Sequence, residues 1–384
     1  MKNIHVCLVS DQTVPNILAI EQLKPDELLL VSTLGMEAKG KSGHILDCLA
    51  CKGLDYRNRY QVLTVVENSL IDCHRKLEAW IQSREESDFV VNLTGGTKIM
   101  SIAAYEFFKD YGCQMIYIPI HRNEYIIPFP KRGTQKPVLL SQRLSVAEYL
   151  KAYGLNALNV HHLPGMAQEA RQRKELAHWI VVQYEKLKNL LIWLGGALRP
   201  HRGDREFELK GSFSGATNEE YELMKRMGFS VNGSDLEKRL PKSEIQFLTG
   251  GWLEEYCFNE VSSNLGRGID DVVIGIQIKN PKGTDNEFDV MFTKENALFT
   301  VECKSLDQQE DKRTEALYKV AALQKDFGLR VGSFLVSTSP YILKNGQVRP
   351  SIAARAEHLN TDVISPYEVL NFGQRLKEKL KLAG

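Results

Sequence analysis

The sequence predicts an α/β protein in two parts joined by a helical connector. Three observations carry that expectation. Apolar strand-like runs alternate with helix-like runs through residues 1–143. The stretch "NLTGGTKIMSIAAYEFF" (Asn92 to Phe108) sets two glycines and a lysine between a strand and an amphipathic helix. From Thr249 the order changes to helix, three-strand meander, helix, strand. A chain of 384 residues exceeds one ordinary compact core, so the expected division is 1–143, a connector over 144–240, and 241–384.

In the first part, "IHVCLVS" (Ile4 to Ser10), "ELLLVST", "YQVLTVV", "DFVVNLT" and "QMIYIPI" read as strands. Helices follow them: a short one through Ile20, then "GMEAKGKSGHILDCLACKGL", "NSLIDCHRKLEAWIQS" and the helix after the glycine pair, with Ile99, Ile102, Ala103 and Phe107 on one face. Strict alternation means a parallel, doubly wound sheet, whose ligands sit beyond the C-terminal ends of the strands. Two loops fall there, Ser10–Thr13 and Thr94–Lys98.

The glycine loop fits neither G-x-G-x-x-G nor G-x-x-x-x-G-K. A tight strand-to-helix turn explains Gly95-Gly96 as well as a phosphate site does. Lys98 tilts the reading toward an anion, because a cation in the first helical turn opposes the helix dipole.

Hydrophobic residues make up 43% and charged residues 25%, with a net charge of +1, so no global basic field marks a nucleic-acid binder. Seven cysteines without disulfide spacing, no signal peptide and no membrane-spanning apolar run fit a cytoplasmic protein. Cys48 and Cys51 form a lone C-x-x-C without a second pair, and Cys73-His74 and His161-His162 have no metal-ligand spacing.

The last part carries the strongest chemical signal. "DVVIGIQIKN", "NEFDVMFTK" and "ALFTVECKS" read as three strands after the helix "GGWLEEYCFNEVSSNL". With side chains alternating, Phe288, Val290 and Phe292 share one face, as do Phe299, Val301 and Cys303 on the next strand. Glu287, Asp289, Glu302 and Lys304 fall on the opposite faces. A turn at Glu295-Asn296 sets Asp289 opposite Glu302, with Cβ atoms roughly 5 Å apart. Two facing carboxylates repel unless a cation lies between them, and hard oxygen ligands favour Mg²⁺ or Mn²⁺. Lys304 could position or deprotonate a bound water, or stabilise charge on a phosphoryl oxygen. A Glu287–Lys304 salt bridge on a solvated face would leave the Asp289–Glu302 clash unexplained.

Asp289, then Glu302-Cys303-Lys304 thirteen positions on, after a helix with Glu254, resembles the restriction-endonuclease-like PD-(D/E)XK superfamily over Thr249 to Thr338. The helix acid maps to Glu254, with Glu255 adjacent, and Phe288-Asp289 stands where the motif has Pro-Asp. Beside it, "NLTGGTK" in a Rossmann-like fold resembles the CARF domain, so the whole chain is similar to CRISPR ancillary nucleases of the Card1/Can2 type.

That resemblance implies a homodimer activated by cyclic tetra-adenylate (cA4) in type III CRISPR antiviral defence, cleaving DNA and/or RNA. Ligand contacts would come from Ser10, Asp11, Gln12 and Thr13 and from Thr94, Gly95, Gly96, Thr97 and Lys98, with Asn92 and Met100 as weaker candidates. Asp289 and Glu302 would hold the metal, Glu254 would contribute directly or through water, and Lys304 would assist the nucleophile. Gln324 would contact substrate or the attacking water. Alternatives are a ring nuclease that degrades the messenger, or a non-catalytic nucleotide-responsive regulator. The connector reads as a long helix packing Trp179, Val182, Leu187, Leu190 and Leu191, then a basic stretch with Arg199, His201, Arg202 and Arg205. That stretch is either a solvated loop or a phosphate-contacting patch.

Overall fold

The computed structural model describes residues 1–84, 87–119, 122–130, 136–279, 285–305 and 327–382. The first sheet joins β1 (Asn3–Leu8), β2 (Glu27–Ser32), β3 (Tyr60–Thr64), β4 (Asp88–Asn92), β5 (Gln114–Tyr117), β6 (Glu124–Phe129) and β7 (Val138–Leu139). Their order is β3-β2-β1-β4-β5-β6-β7. The strands from β3 to β5 pair in parallel, as the alternation predicted. β6 and β7 add an antiparallel edge that the sequence reading did not anticipate. The strand order reverses between β1 and β4. In doubly wound sheets that reversal opens the ligand crevice, and both loops singled out above leave from these two strands.

Helices α1 (Val14–Leu23), α2 (Leu34–Ala38), α3 (Lys41–Cys51), α4 (Leu70–Ile81), α5 (Lys98–Asp110) and α6 (Val146–Ala152) complete this part. α4 and α5 cover one face, while α1, α3 and α6 cover the other. The buried face of α5 is Met100, Ala103, Ala104, Phe107 and Phe108. It is turned slightly from the expected one, and Ile102 is 47% exposed.

The connector pattern folds as three abutting helices, α7 (Leu163–Gln172), α8 (Lys174–Val182) and α9 (Tyr184–Leu198), broken at Arg173 and Gln183. Leu187, Leu190 and Leu191 are buried as expected and Trp179 packs partly, but Val182 is exposed. Beyond them lies a small unit absent from the sequence reading. β9 (Glu206–Ser212), α10 (Asn218–Arg226), β10 (Ser230–Asn232) and β11 (Asp235–Pro241) form a three-stranded antiparallel sheet with one helix. A Thr217/Glu220 capping box starts α10.

After α11 (Lys242–Gln246), the chain kinks at Thr249–Gly250 and enters α12 (Trp252–Ser262). The second large sheet contains β12 (Asp271–Lys279), β13 (Asp285–Lys294), β14 (Ala297–Lys304), β15 (Val331–Ser337) and β18 (Thr361–Ile364), with β8 (Asn156–Ala157) at its edge. A small hairpin, β16 (Leu343–Lys344) with β17 (Gln347–Val348), then α13 (Pro350–His358) and α14 (Phe372–Leu380) surround it. The meander is antiparallel, and β14, β15 and β18 run parallel. The helix expected over residues 312–328, with Gln324, falls largely outside the described residues.

The hairpin turns at Glu295-Asn296, whose φ values of +48° and +61° suit a two-residue turn. Its ladder runs from Lys294↔Ala297 to Val290↔Val301, the register expected from sequence. One expectation fails here. Phe288 does not share a core with Val290 and Phe292. Gly275 on β12 takes φ +66°, a conformation that turns the strand over. Val272 and Ile274 therefore face one core, and Ile276 and Ile278 the other. On β13 the same change falls at Asp289.

Two cores thus cover the second sheet. One holds α8, α9, α12 and α14 with Val290, Phe292 and Val301. The other holds Phe288, Met291, Leu298 and Phe327 together with Cys7, Leu30, Tyr149 and Tyr153 of the first part. A single apolar core therefore joins the two sheets. Among the described residues no helix is long and apolar enough to cross a membrane.

His5, on β1, is fully buried, and neither ring nitrogen finds a partner among the described residues. Burial pushes its pKa down to about 4. The unfolded chain takes up this proton near pH 6.5 and the folded chain does not, so His5 lowers stability as pH falls from about 6.5 to about 4. In urea titrations at pH 7.5 and pH 5, His5→Phe should lose about 2 kcal/mol less stability on acidification than the wild type.

Candidate functional site: a two-loop crevice and a carboxylate cluster

The crevice at the strand reversal is held by a polar knot. Asn16 Nδ2 donates to Leu8 O at 2.9 Å, and Asn92 Nδ2 donates to Asn16 Oδ1 at 2.9 Å. Asn92 Oδ1 accepts from the Thr94 backbone N–H and from the Thr94 hydroxyl. Thr94 Oγ1 in turn accepts from Ile118 N at 2.8 Å. The knot presses the two loops together so closely that a Cβ on Gly95 would overlap the Leu8 carbonyl oxygen. Gly95 is thus required by packing, whatever it binds. Thr97 caps α5 by accepting from Met100 N at 3.2 Å.

The sequence-derived ligand residues divide by environment. Asp11 and Lys98 are exposed, and Ser10, Thr94, Gly96 and Thr97 are half-buried around the crevice. Asp11 meets Lys39 at 2.9 Å and Lys41 at 3.9 Å, two cations at the rim that the sequence reading passed over. Asn92, Gly95 and Met100 are buried, Asn92 inside the knot and Met100 in the core. Thr13 is buried and donates to Ala152 O, while the Gln12 amide oxygen accepts from Tyr153 and from Leu329. These two side chains are turned away from the crevice.

The second site forms where β13 changes faces. The β13–β14 ladder stops at Val290↔Val301, one step before Asp289 and Glu302. There Asp289 Oδ2 accepts the Cys303 backbone N–H at 2.6 Å. Glu302 is 5% exposed, and Lys304 Nζ lies 2.7 Å from its Oε1. The cross-strand Glu287–Lys304 alternative is therefore not the pairing Lys304 makes here. Gly250, at the kink ahead of α12, sits so close to Ser305 that a Cβ would overlap its hydroxyl, which seats α12 beside the end of β14.

Of the two adjacent helix acids, Glu255 is paired with Arg173. Its guanidinium binds Glu255 through Nε at 3.0 Å and 3.1 Å and again through a second nitrogen. Glu254, on the adjacent face, joins the cluster instead. Burial, then the carboxylates of Glu287 and Glu302, push its pKa up to about 7, against the opposing pull of Arg202 and Lys304. Arg202 belongs to the basic stretch, so at least that residue reaches the field of the cluster. Burial, then the carboxylates of Glu302 and Glu254, hold Asp289 well above the usual carboxylate range. Lys304 is raised, because Glu302 and Asp289 outweigh its desolvation.

Among the described residues no three acid, histidine or cysteine side chains close to metal-binding distance of one another. The donor set nevertheless fits a hard divalent cation. Three carboxylates sit in one another's field, and burial and their mutual repulsion raise Glu254 and Asp289. Cys48 is buried, Cys51 exposed, and His161 and His162 lie on the surface.

A nucleotide-type crevice on one sheet and a carboxylate–lysine cluster on another define a sensor domain coupled to a nuclease domain. Residues 4–149 match the Card1 CARF domain family, and residues 241–383 match the Card1-like endonuclease domain family. The chain belongs to the CRISPR-associated CARF nucleases of the Card1/Can2 type. Protein VC1899 from Vibrio cholerae has the same fold, with a TM-score of 0.81 at 18% identity over 99% of this chain and 98% of that one. Can2 from Sulfobacillus thermosulfidooxidans, solved with cyclic tetra-adenylate, gives a TM-score of 0.77 at 20% identity over 97% and 98%. No curated protein sequence matches.

Two substitutions test these geometries. Gly95→Ala should destabilise the first domain by about 2–3 kcal/mol, because the clash is with backbone, read as a lower urea midpoint. The Glu254 pKa is raised on folding, so its ionisation costs stability from about pH 4.5 upward, fully so above about pH 7. Glu254→Gln should melt roughly 5 °C higher than the wild type at pH 8 without divalent ions, and level with it below pH 4.5.

Proposed function

We propose that this chain is a metal-dependent endonuclease of type III CRISPR antiviral defence, activated by cyclic tetra-adenylate and cleaving DNA and/or RNA phosphodiester bonds. The observation that carries the reading is the convergence of Glu254, Asp289, Glu302 and Lys304 in one electrostatic field on an endonuclease fold. Asp289 and Glu302 would hold Mg²⁺ or Mn²⁺, and Glu254 would contribute directly or through water. The ion, when bound, supplies positive charge to the scissile phosphate. Lys304, raised above the ordinary lysine value, keeps its proton at neutral pH. With a cation on Asp289 and Glu302, Lys304 would orient or help deprotonate the attacking water, or stabilise phosphoryl charge.

The activator's phosphates lie against the Gly95–Gly96 loop and the first turn of α5, near Lys98, with the Ser10–Thr13 loop opposite. Helix-end N–H groups and close backbone approach favour that placement. Binding spans a homodimer in a cytoplasmic protein. Exposed apolar Val66, Ile71 and Ile102 lie at this end of the sheet and suit a second copy. The Can2 structure with the same cyclic nucleotide supports the choice of ring.

The test is cleavage of plasmid, single-stranded DNA and RNA with Mg²⁺ or Mn²⁺, with and without cA4. Wild type should cleave with both present, and Glu302→Ala should lose at least 100-fold in rate while still binding cA4. Cleavage of cA4 itself that survives Asp289→Ala, with no other product, would replace this reading by a ring nuclease. Binding of the messenger with no cleavage at all would leave a regulator.

A further inference from the structure

One ligand-loop residue does not face the ligand crevice. Gln12 Oε1 accepts two hydrogen bonds, from Tyr153 Oη at 3.0 Å and from the Leu329 backbone N–H at 3.1 Å. Tyr153 caps α6 in the sensor half, and Leu329 leads into β15 of the nuclease sheet. The backbone of Gln12 stays in the loop, where its N–H donates to Ser10 Oγ at 3.2 Å. The residue therefore spans from crevice to nuclease within one side chain.

Its surroundings make the link stiff. Thr13 Oγ1 donates to Ala152 O, so the loop is anchored twice on the end of α6. Tyr149 Oη donates to Phe327 O at 2.9 Å, tying the same helix to the same nuclease segment. A Cβ on Gly328 would overlap the Tyr153 ring, which shows how tightly these parts abut. Arg330, the residue after Leu329, accepts from Leu298 N through its carbonyl at 2.9 Å, and Leu298 is the second residue of β14. β15 then pairs with β14 from Leu298↔Val331 to Lys304↔Ser337, passing Glu302. The path from the crevice to the carboxylate cluster is therefore backbone hydrogen bonding on every step but the first, and that first step is the Gln12 amide.

We propose that Gln12 is a positioning residue that passes occupancy of the Ser10–Thr13 loop to β15, and through β15 to the catalytic strand β14. This rests on the reading above that cA4 acts at that loop. A ligand that shifts the loop displaces the acceptor shared by Tyr153 and Leu329, and β15 responds because the backbone two residues ahead of its first residue, Val331, is held there. Coupling between sites is a free energy, measured as the ratio of activities or affinities with and without the effector. A spatial path alone does not establish it, so the test measures coupling directly.

The experiment compares wild type, Gln12→Met and Tyr153→Phe as full-length protein. Gln12→Met keeps side-chain length and removes the acceptor. Tyr153→Phe keeps the ring and removes one donor. Three quantities are read: the cA4 dissociation constant, the ratio of nuclease rates with saturating and without cA4, and cA4-dependent hydrogen exchange at the Leu329 amide. The expected result for Gln12→Met is an activation ratio reduced at least tenfold, cA4 affinity within about threefold of wild type, and loss of the ligand-dependent change at Leu329. Tyr153→Phe should move the same way by a smaller factor. An unchanged activation ratio in Gln12→Met would overturn the proposal. So would a tenfold loss of affinity with full activation at saturation, which would make Gln12 a ligand contact. If Gln12→Met fails to fold, Tyr153→Phe decides alone: a reduced ratio with intact binding supports the relay, and an unchanged ratio sinks it. Absence of cA4 activation in the wild type is visible before any variant is made; it defeats the functional reading and the relay with it.

Discussion

The rest of the structure depends on one apolar core shared by two sheets. Phe288, Met291, Leu298 and Phe327 of the nuclease sheet are buried with Cys7, Leu30, Tyr149 and Tyr153 of the sensor half. An interface buried like a domain interior does not slide freely, because close-packed side chains tolerate few arrangements. The two halves therefore meet as a weld rather than through the connector helices alone. Polar ties mark its edge. Asn296, at the tip of the β13–β14 hairpin, donates to Asn123 Oδ1 at 2.6 Å and accepts from Leu144 N at 2.9 Å. Asp271 accepts from Val146 N at 2.8 Å.

This placement changes the role of the connector. The sequence reading made residues 144–240 a connector between the parts. In the fold, α6 is buried between the halves, β8 extends the nuclease sheet, and α8 and α9 pack on its far face. Arg173, at the α7–α8 break, secures Glu255. The connector thus braces the helix that presents Glu254, while α6 carries the direct contact between sensor and nuclease.

Much of this was legible from sequence, for reasons of range. Strand alternation and the turn at Glu295-Asn296 depend on neighbours a few positions apart, and the fold shows both. What failed depends on partners distant in the chain. The position of Phe288 followed from a face change at Gly275, thirteen residues away on another strand. Glu254 could not be separated from Glu255 until Arg173 was seen to claim the latter, 82 positions apart. Gln12 and Thr13 sit in the ligand loop by position, yet their side chains are claimed by Tyr153, Leu329 and Ala152. The three-stranded insert escaped because its strands are short and largely exposed.

The carboxylate cluster shows what such bracing is for. Left to itself, a group of acids in a partly dry site relieves its repulsion by protonation or by moving apart. Here movement is restrained at each member. Asp289 is held by the Cys303 N–H, Glu302 by Lys304, and the helix of Glu254 by the Arg173–Glu255 pair. Protonation is then the remaining response, and the raised positions of Glu254 and Asp289 are its signature. A scaffold that blocks relaxation keeps the acids together at a standing cost in stability. A cation bound among these acids would offset that cost, so under the proposed function the same restraint that weakens the fold at neutral pH would favour the ion.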